Sequence, residues 1–208
     1  MDINSYGPLA LAPTAVDADG VSASQSPAAG AILINGALAT DGVATFGAAQ
    51  LVRLTSGGDD SDITFTVNGT DSDGRTQSEA VVGSNGSNAD TTKYFKTITS
   101  ITHTGSVQTT LIVGNLIDSV SNTVKPNVNV SPMAIGIGAV LVSGTMTYKV
   151  QHSYQDGTTA HPTLWFDNTA GAKTASSEAT YSTPVATVRI LASASGTGVL
   201  GANIVQAG

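Results

Sequence analysis

The stretch ITFTVNGTDSDGRTQSEAVVG, residues 63 to 83, decides the class of fold. Its first half puts Ile63, Phe65 and Val67 on one side and Thr64, Thr66 and Asn68 on the other, the period of two expected of a strand with one buried face. A second run follows across Asp71-Ser72-Asp73-Gly74, so residues 63–69 and 76–82 are expected to pair as an antiparallel hairpin. The tetrapeptide between them has three readings: a calcium loop, an acid–base pair or a turn. A calcium loop of the EF-hand kind requires a further oxygen ligand two residues on and a bidentate Glu at position 12 between helices, and this stretch has neither. A turn requires only Asp side chains accepting from nearby backbone N–H groups and a Gly at positive φ. The turn is the reading adopted here, and also for Asp17-Ala18-Asp19-Gly20.

The rest of the chain agrees with a β fold. Only 11% of its 208 residues are charged, whereas exposed helices want Glu, Lys and Arg on their wet faces and strands favour Thr, Val and Ile. There is no cysteine, hence no disulfide framework and no thiolate chemistry. A net charge of −7 with only eight scattered Lys and Arg argues against nucleic acid, whose phosphates need clustered cations. The longest apolar run, MAIGIGAVLV at 133–142, is about half of a membrane span, so no membrane partner is expected. The N-terminus has no basic n-region, so no secretory signal is expected.

Strand-like runs begin at residue 32, are punctuated by Gly-rich or Asp-Gly turns, and recur at the spacing of an antiparallel sandwich. The expected fold is all-β: two consecutive antiparallel β-sandwich domains, jelly-roll or immunoglobulin-like, with an extended N-terminal arm. The arm covers 1–31, which is aperiodic and rich in Ala, Pro, Ser and Gly; order there would require its own body or a neighbouring subunit to pin it. The first sandwich covers 32–114, a Pro-containing linker 115–132, and the second sandwich 133–208.

Few residues suggest chemistry. Asp59, Asp60 and Asp62 read as a solvated acidic loop. Glu79 and Glu178 are the only glutamates, and neither has the aromatic surroundings of a glycosidase carboxylate pair. The three histidines, His103, His152 and His161, lack helical metal spacing; His152, on the face of Met146, Tyr148 and Val150, reads as a partly buried, hydrogen-bonded structural residue. Neither a nucleophile elbow nor a phosphate-binding loop is present. The sequons at 68–70 and 85–87 read as turns. In HPTLWFDN, 161–168, Trp165 and Phe166 either stack on a sugar or partner protein or plug the end of a sandwich. With Tyr181 they are the candidate interaction residues. No catalytic residue, metal or cofactor is expected.

Two stretches resemble virion structural proteins of tailed bacteriophages: ITFTVNGTDSDGRTQSEAVVG with TTKYFKTITSITHTG, and YKVQHSYQDG with LWFDN, TPVATVRIL and a terminal IVQAG. The resemblance runs from near residue 32 to the end and rests on folding motifs without catalytic residues. It implies a non-enzymatic, homo-oligomeric protein located in the virion. The leading form is a capsid decoration or cement protein bound over major-capsid-subunit junctions. The alternatives are a tail or head-tail junction component and a carbohydrate-binding adhesion module.

Overall fold

In the computed structural model, residues 3–131, 133–158, 161–193 and 198–207 are described. They contain no helix, and 55% of the chain is strand in large antiparallel sheets. The strands form two compact units, one of residues 14–117 and one made of the chain on either side, up to Pro13 and from Asp118.

The first strand, β1 (Ile3–Leu11), belongs to the second unit and is described with it. The middle unit contains β2 (Ser22–Gln25), β3 (Gly30–Ile32), β4 (Ala39–Thr40), β5 (Val43–Ser56), β6 (Thr64–Thr70), β7 (Thr76–Val82), β8 (Asn88–Asp90), β9 (Phe95–His103) and the first part of β10 (Leu111–Val120). Its strand order is β10-β5-β9-β6-β7, with β2 on β10, β3 on β9, and β4 and β8 on β5. Phe46, Leu54, Phe65, Val67, Phe95, Ile98 and Ile101 fill its core. The alternation at 63–67 is realised as expected, with Ile63, Phe65 and Val67 buried.

The hairpin forms in the register Thr64↔Val82 through Thr70↔Thr76. Asp71 Oδ1 accepts from the backbone N–H groups of Asp73 and Arg75, both at 2.9 Å, and Gly74 takes φ +80°, so the tetrapeptide is a turn. The sequon at 68–70 is a correction: Asn68, Gly69 and Thr70 lie in β6, paired to β7 on one side and β9 on the other. The register against β9 shifts at Asn68/Gly69, where β9 carries the extra residue, Thr99. The second sequon is a turn, with Gly86 at φ +55°.

Two buried amides hold the entry to this unit. Gln50 accepts from Thr14 N–H at 2.8 Å and donates to the Thr14 and Leu116 carbonyls. Asn115 accepts from Asp17 N–H and donates to the Ala15 carbonyl, each at 3.0 Å. The chain comes so close at this point that a Cβ on Gly114 would run into the Asp17 and Ala18 carbonyls. Residues 14–20 are thus ordered by specific partners, which their composition did not reveal.

The other unit contains β11 (Ala134–Ser143), β12 (Tyr148–Ser153), β13 (Phe166–Asp167), β14 (Ser177–Tyr181), β15 (Thr187–Ala192) and β16 (Val199–Ala207), together with β1 and the end of β10. One sheet has the order β1-β16-β11-β14. The remaining strands run β13-β12-β15, with Ser119 and Val120 of β10 on β15. Leu9, Ile135, Ile137, Tyr148, Val188, Ile190 and Ile204 are buried. Tyr148 of β12 is tied to the segment that leads into β14, its hydroxyl donating to the Ala175 carbonyl at 2.9 Å and lying 2.8 Å from Ser177 Oγ.

Residues 1–31 differ from the expected arm. β1 pairs antiparallel with β16, from Ile3↔Ala207 to Leu11↔Leu200, and buries Leu9 and Leu11. A bulge between Tyr6 and Leu9 reverses the alternation around Gly7-Pro8, so no strand period shows in the sequence. The stretch expected as a linker, 115–132, takes in the end of β10. It is also anchored by paired Val124–Val188 backbone bonds of 2.8 Å and by Gln206, which exchanges hydrogen bonds with the Asn127 backbone.

Candidate functional site

The aromatic residues singled out in 161–168 lie beside β12, and strand register explains their placement. β13 pairs with β12, and β12 with β15, so that Asp167, Gln151 and Arg189 form one row across the strands and Phe166, His152 and Val188 the next. Because neighbouring residues of a strand point to opposite faces, the two rows serve opposite faces.

The first row is a polar ladder. Lys149 Nζ donates to Asp167 Oδ2 at 2.7 Å, Gln151 Nε2 to Asp167 Oδ1 at 2.9 Å, and Arg189 Nε to Gln151 Oε1 at 2.9 Å. The hydrogen bonds from Lys149 and then Gln151 hold the Asp167 carboxyl below its ordinary range. The Arg189 guanidinium lies 3.9 Å from the centre of the Trp165 ring, a cation–π arrangement. Trp165 Nε1 donates to the Pro162 carbonyl at 2.8 Å. Trp165 is therefore half-buried and fixed on both its polar tip and one face.

The second row is an aromatic cluster centred on His152. Its ring stacks on Phe166, with centroids 5.6 Å apart and planes 28° apart, and meets Tyr154 and Tyr181 edge-on at 5.3 and 5.0 Å. Tyr154 and Phe166 are themselves 5.7 Å apart, and they remain 63% and 41% exposed. Desolvation lowers the His152 pKa below its ordinary value, and its Nδ1 has no hydrogen-bond partner. The expectation of a hydrogen-bonded His152 is corrected on this point: ring contacts hold it. Burial pushes the Tyr181 hydroxyl up to about 12, against a smaller opposing pull from Asn168.

The three candidate residues are therefore in different situations. Phe166 is open to solvent, Trp165 is half-buried under Arg189, and Tyr181 is buried and forms the floor beneath His152. Tyr181 offers no exposed platform. Tyr154 belongs to the open surface and was missed. Its signal is the i, i+2 spacing of His152 and Tyr154 at the end of a strand, which puts both on the side that receives Phe166. The chemical capacity of the cluster is stacking: two exposed aromatic rings, one backed by an imidazole.

Three further carboxylates hold loops. Asp60 was expected in a solvated acidic loop, but it is buried and accepts from Gln108 N–H at 2.9 Å. Asp59 is exposed and accepts from the Ser61 N–H and hydroxyl. Glu79 accepts from the N–H and hydroxyl of Thr92 and the N–H of Lys93, all within 2.9 Å. His103 is buried, stacked against Phe65 at 5.8 Å, with Nδ1 2.7 Å from the Gly105 carbonyl. His161 lies 5.8 Å from Trp165. Among the described residues no helix is long and apolar enough to cross a membrane. No protein-family model, curated protein or solved structure matches the chain.

Proposed function

We propose that the chain is a non-enzymatic structural protein of a tailed-phage virion, acting as a decoration or cement protein on the capsid, each of its units being a β-sandwich. The observation that carries this reading is how the polar side chains are used. Glu79 uses both of its carboxylate oxygens, and Asp60 and Asp71 one each, to hold loop and turn backbone. Such a chain invests its polar groups in holding short loops on a sheet scaffold, as suits a protein whose work is to persist and make contacts. The resemblance of 63–83 with 91–105, and of 148–157, 164–168 and 183–191 with 204–208, to virion proteins supports the same reading. Repeated copies on a symmetric particle would multiply weak contacts through effective concentration.

Quantitative mass spectrometry of purified virions tests it. Hundreds of copies per particle are expected, together with heads that lose thermal stability when the protein is stripped. A few dozen copies or fewer would place it in the tail or at the head-tail junction, and absence from particles would end the reading.

One observation favours a second reading, carbohydrate-binding adhesion: the exposed Tyr154–Phe166 pair. Aromatic faces stack on the apolar faces of sugars. Under this reading Tyr154→Ala and Phe166→Ala abolish glycan binding while leaving the fold and particle incorporation unchanged.

A further inference from the structure

The outward face of the sheet β1-β16-β11-β14 has an unusual central strand. Gly136 and Gly138 point outward from β11 in succession, Val140 follows them on the same side, 52% exposed, and Val142, at the bulge where β11 slips against β16, is 66% exposed. Glycine weakens a strand interior and needs a reason to be there. Neither glycine has a positive φ, and a Cβ built on either would meet nothing within 4 Å. Nothing inside the unit calls for them. They leave a trough, walled by Thr180 and Glu178 of β14 on one side and Val205 and Asn203 of β16 on the other.

We propose that this face docks against the same face of a second copy of the chain. Two holes followed by two knobs on one strand are self-complementary under a two-fold axis lying between stacked sheets, perpendicular to β11 over Ala139. Val140 of each copy then enters the trough at Gly138 of the other, and Val142 the trough at Gly136. Both insertions occur twice, the property of an isologous interface. A foreign partner would not require its holes and its knobs on one strand.

Charge permits the stacking. Among the described residues of these four strands the only ionisable side chain on the outward face is Glu178, at the rim on β14. Three strands of nine or ten residues and one of five, ~4.8 Å apart, cover a plane on the order of 500 Å², whose corrugated accessible surface approaches the ~800 Å² per partner of a stable complex. The inference does not depend on where the protein resides.

Sedimentation of the full chain over roughly micromolar to millimolar concentration tests it. The expected result is a monomer–dimer equilibrium. Gly138→Glu puts its side chain into open space in the monomer but sets it against Val140 in the dimer. It is expected to weaken association at least ~100-fold, as loss of a central contact does, with an unchanged melting temperature. Val142→Asp serves if that variant misfolds. The chain has no cysteine, so a spin label on Ser143→Cys reports geometry. The bulge at Leu141/Ser143 takes up one residue, so the two labels are expected ~22 Å apart, from six ladder steps of ~3.3 Å along the strand and ~10 Å between sheets. A chain that stays monomeric overturns the proposal. So does a dimer unaffected by both variants, or one with a clearly different label distance, as exchange of β1 or edge-to-edge pairing would give.

Discussion

Asp71 shows how a single side chain fixes a turn: one carboxylate oxygen holds two backbone N–H groups, and the residue is almost entirely buried. Replacing it with Ala strands those donors and should cost about 1–2 kcal/mol, read as a lower denaturation midpoint, with Asn recovering part of the loss. This site was legible in sequence because its chemistry is local, every partner lying within four residues. The aromatic residues were less so. Trp165 and Phe166 are adjacent, yet one is fixed under Arg189 and the other is open, and only the pairing of β13 with β12 determines which. His152 carries a pH consequence. Its pKa is lowered by desolvation, so the folded state favours the neutral ring. Stability is therefore full above the ordinary histidine range and falls as pH drops from about 6.5 through the lowered value. His152→Phe keeps the stack and should flatten that part of a stability-against-pH curve, whereas an unchanged curve would show that the ring's protonation is not coupled to folding.

At the scale of elements, β1 departs most from what its sequence suggests. Gly7-Pro8 interrupts the period and the bulge at Tyr6/Leu9 reverses its sense, so the run reads as an aperiodic arm although its end buries two leucines. Alternation was readable where it was unbroken, as in β6. It failed where a bulge shifts the register, as in β1, because period counting assumes one residue per step. Leu11→Ala should cost about 2–5 kcal/mol, observed as a drop in thermal midpoint. Removing residues 1–12 should be worse, leaving the β16 edge unpaired and the sites of Leu9 and Leu11 open. If that truncation melts like the full chain, β1 is a passenger on the sheet.

For the whole molecule, composition established an all-β chain, but the order in which segments join could not be read from it. The second unit is assembled from both sides of the first, and its division falls inside β10, between Ile117 and Asp118. No composition shift marks the spot, because a strand continues through it. This leads to a test by fragments. Residues 14–117 carry a complete core and should fold alone, giving β-type circular dichroism and a cooperative melt. Residues 118–208 should not reach a cooperative state until a peptide of residues 1–13 is added to supply β1. Cooperative folding of 118–208 without the peptide would show that the sheet is stable with three strands.

The pairing of β1 with β16 also determines how the molecule answers to force. The strands are antiparallel and Ile3 sits beside Ala207, so a load drawn outward from these two points pulls across the ladder rather than along it. Hydrogen bonds then break one pair at a time, as in an opening zip, and the seam parts at low tension. Anchored at Ile3 and at Leu200 instead, at the opposite end of the pair beside Leu11, the same strand would be loaded lengthwise, and all its bonds would have to shear together. A single-molecule stretching trace should therefore depend sharply on where the handles are attached.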